Sequence, residues 1–166
     1  MRRLAAASLL SLAVLLVACS GSSHRSPTRA SPTATPEVAH VLFGTTQIHF
    51  DAPQGARDID VEVASTPAQS ERGLGYRDSL APDAGMIFDL HEPRVPAFWM
   101  KGMRFPLDMV WIGEDKRVAG VTAGVQPQPG APDEQLRRYA APSPVRYVLE
   151  LNAGAVARLG MIDGVQ

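Results

Sequence analysis

Hydrophobic residues recur in this chain with the period of strands more often than of helices. The clearest case is Asp58 to Val63, where Ile59, Val61 and Val63 fall on one side and Asp58, Asp60 and Glu62 on the other, the period-two pattern of a half-buried strand. Val41-Leu42-Phe43 and Gln47 to Phe50 flank Gly44-Thr45-Thr46 and predict a short hairpin, followed by a turn over Asp51 to Gly55. Further strands are expected at Met86 to Phe88, Ala97 to Lys101, Leu107 to Ile112, Arg117 to Thr122 and Arg146 to Leu151. Short helices interrupt the series. Thr66 as N-cap, Pro67 at the first helical position and Gln69 at the capping-box position predict a helix Pro67 to Arg72 stopped by Gly73. Asn152 reads as the N-cap of a second, Ala153 to Leu159, closed by Gly160. Between Gly124 and Pro144 five prolines break every period; a long loop is expected there, with one helical turn from Asp133 to Tyr139, serving as a lid, a binding loop or a plain surface cover.

The densest apolar payload is Ala97 to Gly113, which holds both tryptophans and three of the five methionines beyond Met1. Its two strands are expected to form a hairpin around Gly102 to Pro106. A five-residue connection pairs Lys101 with Leu107, a four-residue one pairs Lys101 with Asp108, and a slip by one residue changes which side chains share a face. Phe98, Met100 and Met109 are assigned to the core, leaving Trp99, Lys101 and Asp108 as site candidates.

Composition then fixes the setting. The 166 residues are 45% hydrophobic and 20% charged, enough for one domain with a substantial core, expected over 38–166. Ahead of it, Arg2-Arg3, the apolar run Leu4 to Leu15 and Leu16-Val17-Ala18-Cys19 resemble a bacterial lipoprotein signal, with residues 1–18 as signal peptide and Cys19 as the lipidated residue. The apolar run is short for a membrane span. Residues 19–37 are expected to form a disordered Ser/Thr/Pro-rich tether, placing the domain outside the cytoplasm, anchored by lipid to the cell membrane, or to an outer membrane where the cell has one. Without Arg2 and Arg3, 14 basic residues face 17 acidic ones, and the basic residues are scattered, which argues against nucleic acid as a partner. A monomer is expected.

Five motifs carry a family resemblance: Val61-Glu-Val-Ala-Ser-Thr-Pro-Ala-Gln-Ser-Glu-Arg-Gly-Leu74, Gly85-Met-Ile-Phe88, Phe98-Trp-Met-Lys101, Pro106-Leu-Asp-Met109 and Tyr147-Val-Leu-Glu-Leu-Asn-Ala-Gly154. In this order they resemble the domain-of-unknown-function 192 family, from Val41 to the C-terminus. The resemblance implies a mainly β fold, an antiparallel β-sandwich of jelly-roll character with two or three short helices. The chain departs from the family at Gly102-Met103, where members typically carry Asn-Thr, and in the absence of cysteines from Gly124 to Pro144.

Standard enzyme signatures are absent. There is no Gly-x-Ser-x-Gly, no His-Glu-x-x-His and no phosphate loop, and no cofactor is expected. His24, His40, His49 and His91 share no ligand spacing, the acidic face of Asp58, Asp60 and Glu62 reads as solvated, and Met100-x-x-Met103 reads as core in preference to copper, so no metal is expected. Glu71, Arg72 and Arg77 cluster near Gly73 as surface ion pairs or an inward arginine. Three readings of the remaining polar residues follow. A binding module would use Trp99, Lys101, Asp108 and Arg72 to hold a small molecule or envelope polymer. A hydrolase or lyase would use Asp108 and Glu150 as an acid/base pair with Lys101 as electrostatic stabiliser. In the third, Lys101 and Asp108 are a buried ion pair that sets strand register.

Overall fold

The computed structural model describes residues 41–161, so Cys19, the leader and the tether lie outside the described residues. Within them the chain is mainly β. Eight strands, β1 (Gly44–Ala52), β2 (Gly55–Ala64), β3 (Ala84–Arg94), β4 (Ala97–Phe98), β5 (Leu107–Ile112), β6 (Val118–Val125), β7 (Tyr139–Ala140) and β8 (Val145–Asn152), alternate with helices α1 (Pro67–Arg72) and α2 (Ala155–Leu159). Six strands form one sheet in the order β1-β2-β3-β8-β5-β6, and β4 pairs with β7 in a two-stranded ribbon.

Two expectations about this sheet change. β2 and β3 run parallel, joined by a crossover that contains α1, so the sheet is mixed and not antiparallel throughout. The first hairpin lies later than expected: β1 is one continuous strand through Gly44 to Thr46, and its partner β2 follows after Pro53-Gln54. The turn chemistry sat at Pro53-Gln54, where proline cannot continue the ladder.

α1 follows its sequence. Gln69 N donates to the Thr66 hydroxyl at 3.3 Å while the Gln69 side chain accepts from Thr66 N at 3.0 Å, and Gly73 ends the helix. α2 does not. Its N-cap is Gly154, and Asn152 instead donates its amide to the carbonyls of Leu80 and Ala81, each at 3.0 Å. The expected helical turn in the proline-rich loop shrinks to a 3-10 turn at Asp133–Gln135, and Tyr139 joins β7.

Each sheet face has its own core. On the first, Met86, Phe88, Met109, Trp111 and Val148 pack under Leu74, Met100, Met103 and the partly buried Phe98. On the second, Ile59, Val61, Val110, Leu149 and Leu151 pack under α2 through Ala155, Val156 and Leu159. Central strands β5 and β8 are buried on both faces, which is why they read as near-continuous apolar runs.

Candidate functional site

The Ala97 to Ile112 hairpin does not form. β4 pairs with β7, Ala97 opposite Ala140 and Phe98 opposite Tyr139, while β5 lies between β8 and β6, so neither expected register applies. A two-residue strand flanked by Pro96 and a Gly102 turn found its partner in the proline-rich loop. Lys101 accordingly pairs with Asp133, Nζ to Oδ2 at 2.6 Å, and not with Asp108. The Asp133 carboxylate raises the Lys101 ammonium pKa above its ordinary value, chiefly through that hydrogen bond.

Asp108 and Glu150 lie on opposite faces of the sheet. β5 and β8 pair Asp108 with Leu151 and Met109 with Glu150, so alternation sends Asp108 toward α2 and Glu150 toward the α1 side. Asp108 is fully buried and fully engaged: Oδ1 accepts from Gly124 N at 2.8 Å and Oδ2 from Val156 N at 3.0 Å. Val156 is in the first turn of α2, so Asp108 caps that helix from 48 residues away.

Glu150 is only 4% exposed and sits between Met86 and Met109 on the neighbouring strands. Among the described residues it has no hydrogen bond or ion pair. Its carboxyl opens instead onto a cleft of about 330 Å³ between the α1 turn, the end of β3 and β4. Loss of water around the carboxylate raises its pKa from the ordinary 4.5 to about 8, so it holds its proton at neutral pH.

Phe88, Leu90, Leu74 and Phe98 make the cleft's apolar wall, and the Phe88 and Phe98 rings meet edge to face at 4.9 Å. Arg72, Arg94, Trp99 and Lys101 stand at its lining, against the single exposed acid Glu71. Trp99 does not offer two open faces. The Arg138 guanidinium lies 3.6 Å from its ring centroid and Lys101 Nζ 5.5 Å away, so the chain already occupies the indole with its own cations. Arg72 rests on Tyr76 at 4.8 Å.

Two glycines allow a close backbone approach beside the cleft, Gly75 at its lining and Gly102 next to it. A Cβ at Gly75 would lie 2.9 Å from the Lys101 carbonyl, and one at Gly102 2.7 Å from the Tyr76 ring, so the α1 turn and the Lys101-Gly102 turn approach backbone to backbone, tied by Tyr76 N to Gly102 O at 2.7 Å. Gly102 also has φ +67, a conformation strained for residues with a side chain. Tyr76 thus fills the space where a polar turn side chain would project.

The structure therefore brings together Arg72, Trp99, Lys101 and Glu150 and leaves Asp108 out. The sequence reading missed Arg94, Asp133 and Arg138. Arg94 lay between Pro93 and Pro96, a position that looked like punctuation, and the other two lay in the proline-rich loop, whose partner no local pattern reveals.

Known proteins resemble the chain as follows. The profile of the DUF192 family, described as "Uncharacterized ACR, COG1430", matches residues 49–166. A crystal structure of a "putative transcription regulator" from Sinorhizobium meliloti 1021 is 38% identical, with 76% of this chain and 94% of that one covered and a TM-score of 0.68. A protein of unknown function from Novosphingobium aromaticivorans DSM 12444 is 28% identical, with 76% and 92% covered and a TM-score of 0.67. No curated protein matches the chain.

Proposed function

The chain belongs to the domain-of-unknown-function 192 family, and from that premise we propose that it is a lipid-anchored extracytoplasmic module that binds a small molecule in the Glu150 cleft. One observation carries the binding reading: a buried carboxyl without a protein partner faces an open space lined by both apolar and cationic side chains. A ligand supplying a hydrogen bond would give this carboxyl the partner that the protein does not. A volume of about 330 Å³ suits a small molecule better than an envelope polymer. The carboxylate pair expected for a hydrolase does not assemble, because Asp108 is on the other face with both oxygens engaged, and the other carboxyl at the cleft, Glu71, is an exposed one at its lining. The anchor rests on Leu16-Val17-Ala18-Cys19 and on Cys19 being the chain's single cysteine. The regulator description of the Sinorhizobium relative is not carried over, since the basic residues form no stripe that would track phosphates.

A fragment screen by ligand-observed NMR on the full chain tests the cleft. Hits should be lost in Ala97→Trp, which blocks the cleft from an exposed position while leaving unfolding unchanged. Hits that persist in that variant would place binding elsewhere and remove this reading. Cys19→Ser should release the protein from membranes; retention there would remove the anchor.

A further inference from the structure

The cleft's charges are unevenly committed. Lys101 is paired with Asp133, but among the described residues Arg94 has no side-chain hydrogen bond, ion pair or ring contact, and the Arg72 guanidinium has the Tyr76 ring contact but no hydrogen bond or ion pair. Glu71 is the one other ionisable acid lining the cleft, and Glu150 is neutral at pH 7. Two arginines without carboxylate partners therefore stand at the lining of a cleft whose floor carries a neutral hydrogen-bonding group. Arginine presents a fork of donors matched to carboxylate or phosphate oxygens, and such charge-assisted bonds are about twice as strong as neutral ones. The same lining carries Phe88, Leu90 and Phe98, which offer only apolar contact.

Taking the cleft as the binding site, we infer that its ligand is a small organic anion: the anionic group held by Arg72 and Arg94, an apolar or ring body against Phe88, Leu90 and Phe98, and a hydroxyl or carbonyl meeting Glu150 at the floor. Glu150 in this arrangement is a donor to the ligand. A carboxylate and a phosphate monoester share the chemistry that the arginines read, and both belong in the test.

The probes are acetate, hexanoate, phenylacetate, 4-hydroxyphenylacetate and phenyl phosphate, with the neutral amide of each carboxylate and phenol for the phosphate, titrated by NMR into the full chain at pH 6.5. The ring-bearing anions should bind about tenfold more tightly than their neutral partners, the difference expected of about 1.4 kcal/mol of charge-assisted bonding. Arg72→Gln and Arg94→Gln should each shrink that preference, and the double variant should abolish it. The 4-hydroxyl should add severalfold in affinity, a gain lost in Glu150→Leu, which fills the same position with an apolar side chain. Neutral partners binding as tightly as the anions, or an anion preference surviving the double arginine variant, would overturn the anion assignment while leaving a binding cleft. So would silence from every probe when neutral fragments still bind in a manner that Ala97→Trp blocks. Silence from probes and fragments alike would remove the cleft as a site together with its ligand class.

Discussion

Each face of the sheet hides one acidic residue, and the two are treated in opposite ways. Under α2, Asp108 gives both carboxylate oxygens to backbone amides, at 2.8 and 3.0 Å, and is closed off from solvent. Beneath the α1 and β4 loops, Glu150 is almost as buried, yet meets no donor and faces open space. A buried carboxyl group with both oxygens hydrogen-bonded is a fastener: it holds Gly124 and α2 to β5. A buried acid with none is neutral, destabilising to the fold at neutral pH, and free to bond a visitor. Burial alone does not separate the two roles; the partners do.

Removing the fastener should have the largest effect. Asp108→Ala leaves the buried Val156 amide and the part-buried Gly124 amide without an acceptor, at about 1–3 kcal/mol each, and should lower unfolding stability by about 4 kcal/mol in urea titrations at pH 7. A loss below 1 kcal/mol would mean that water replaces the carboxylate and that Asp108 is no fastener.

Glu150→Gln should show the reverse sign. The unfolded chain loses the Glu150 proton near 4.5 and the folded chain near 8, so across that interval the folded state binds more protons and stability falls as pH rises. The wild type should lose roughly 3 kcal/mol between pH 5 and 8 through this residue and level off beyond. The glutamine variant should remove that slope and be the more stable protein at pH 8. Parallel pH profiles for the two proteins would contradict a proton held by Glu150.

The smallest effect belongs to the loop that borders the cleft. Lys101→Met removes the link to Asp133, an exposed pair, and should leave the unfolding midpoint unchanged while hydrogen exchange quickens at Tyr139 and Ala140, whose strand holds the proline-rich loop to β4. Unchanged exchange would show that the β4–β7 ribbon and Arg138 on Trp99 suffice.

Local chemistry was legible wherever it was self-contained. The capping box of α1 needs only Thr66 and Gln69, three residues apart, and Gly73; the alternation of β2 needs only its own side chains. Contacts set by distant chain were not. Asn152 had every local qualification as an N-cap, but its amide reached Leu80 and Ala81, and α2 took Asp108 as its acid instead. The hairpin expected around Gly102 failed for the same reason: adjacency in sequence is a weak guide to pairing when one strand is two residues long and a closer partner arrives from residue 139 onward. Of the site, Arg72, Trp99, Lys101 and Glu150 were named from sequence, but their grouping was not, and Asp108 was grouped with them in error of face.

What the sequence determined by itself was the mainly β character, the short capped helix, the family and the candidate polar residues, because these follow from side-chain periodicity, turn chemistry and motif order along the chain. Only the tertiary structure decided that β2 and β3 run parallel, that Lys101 belongs to Asp133, and that Asp108 and Glu150 face away from each other. In a sheet, register and strand order assign every side chain to one face or the other, and both are set by hydrogen bonds between segments far apart in sequence, as Gly85 of β3 opposite Leu151 of β8 illustrates.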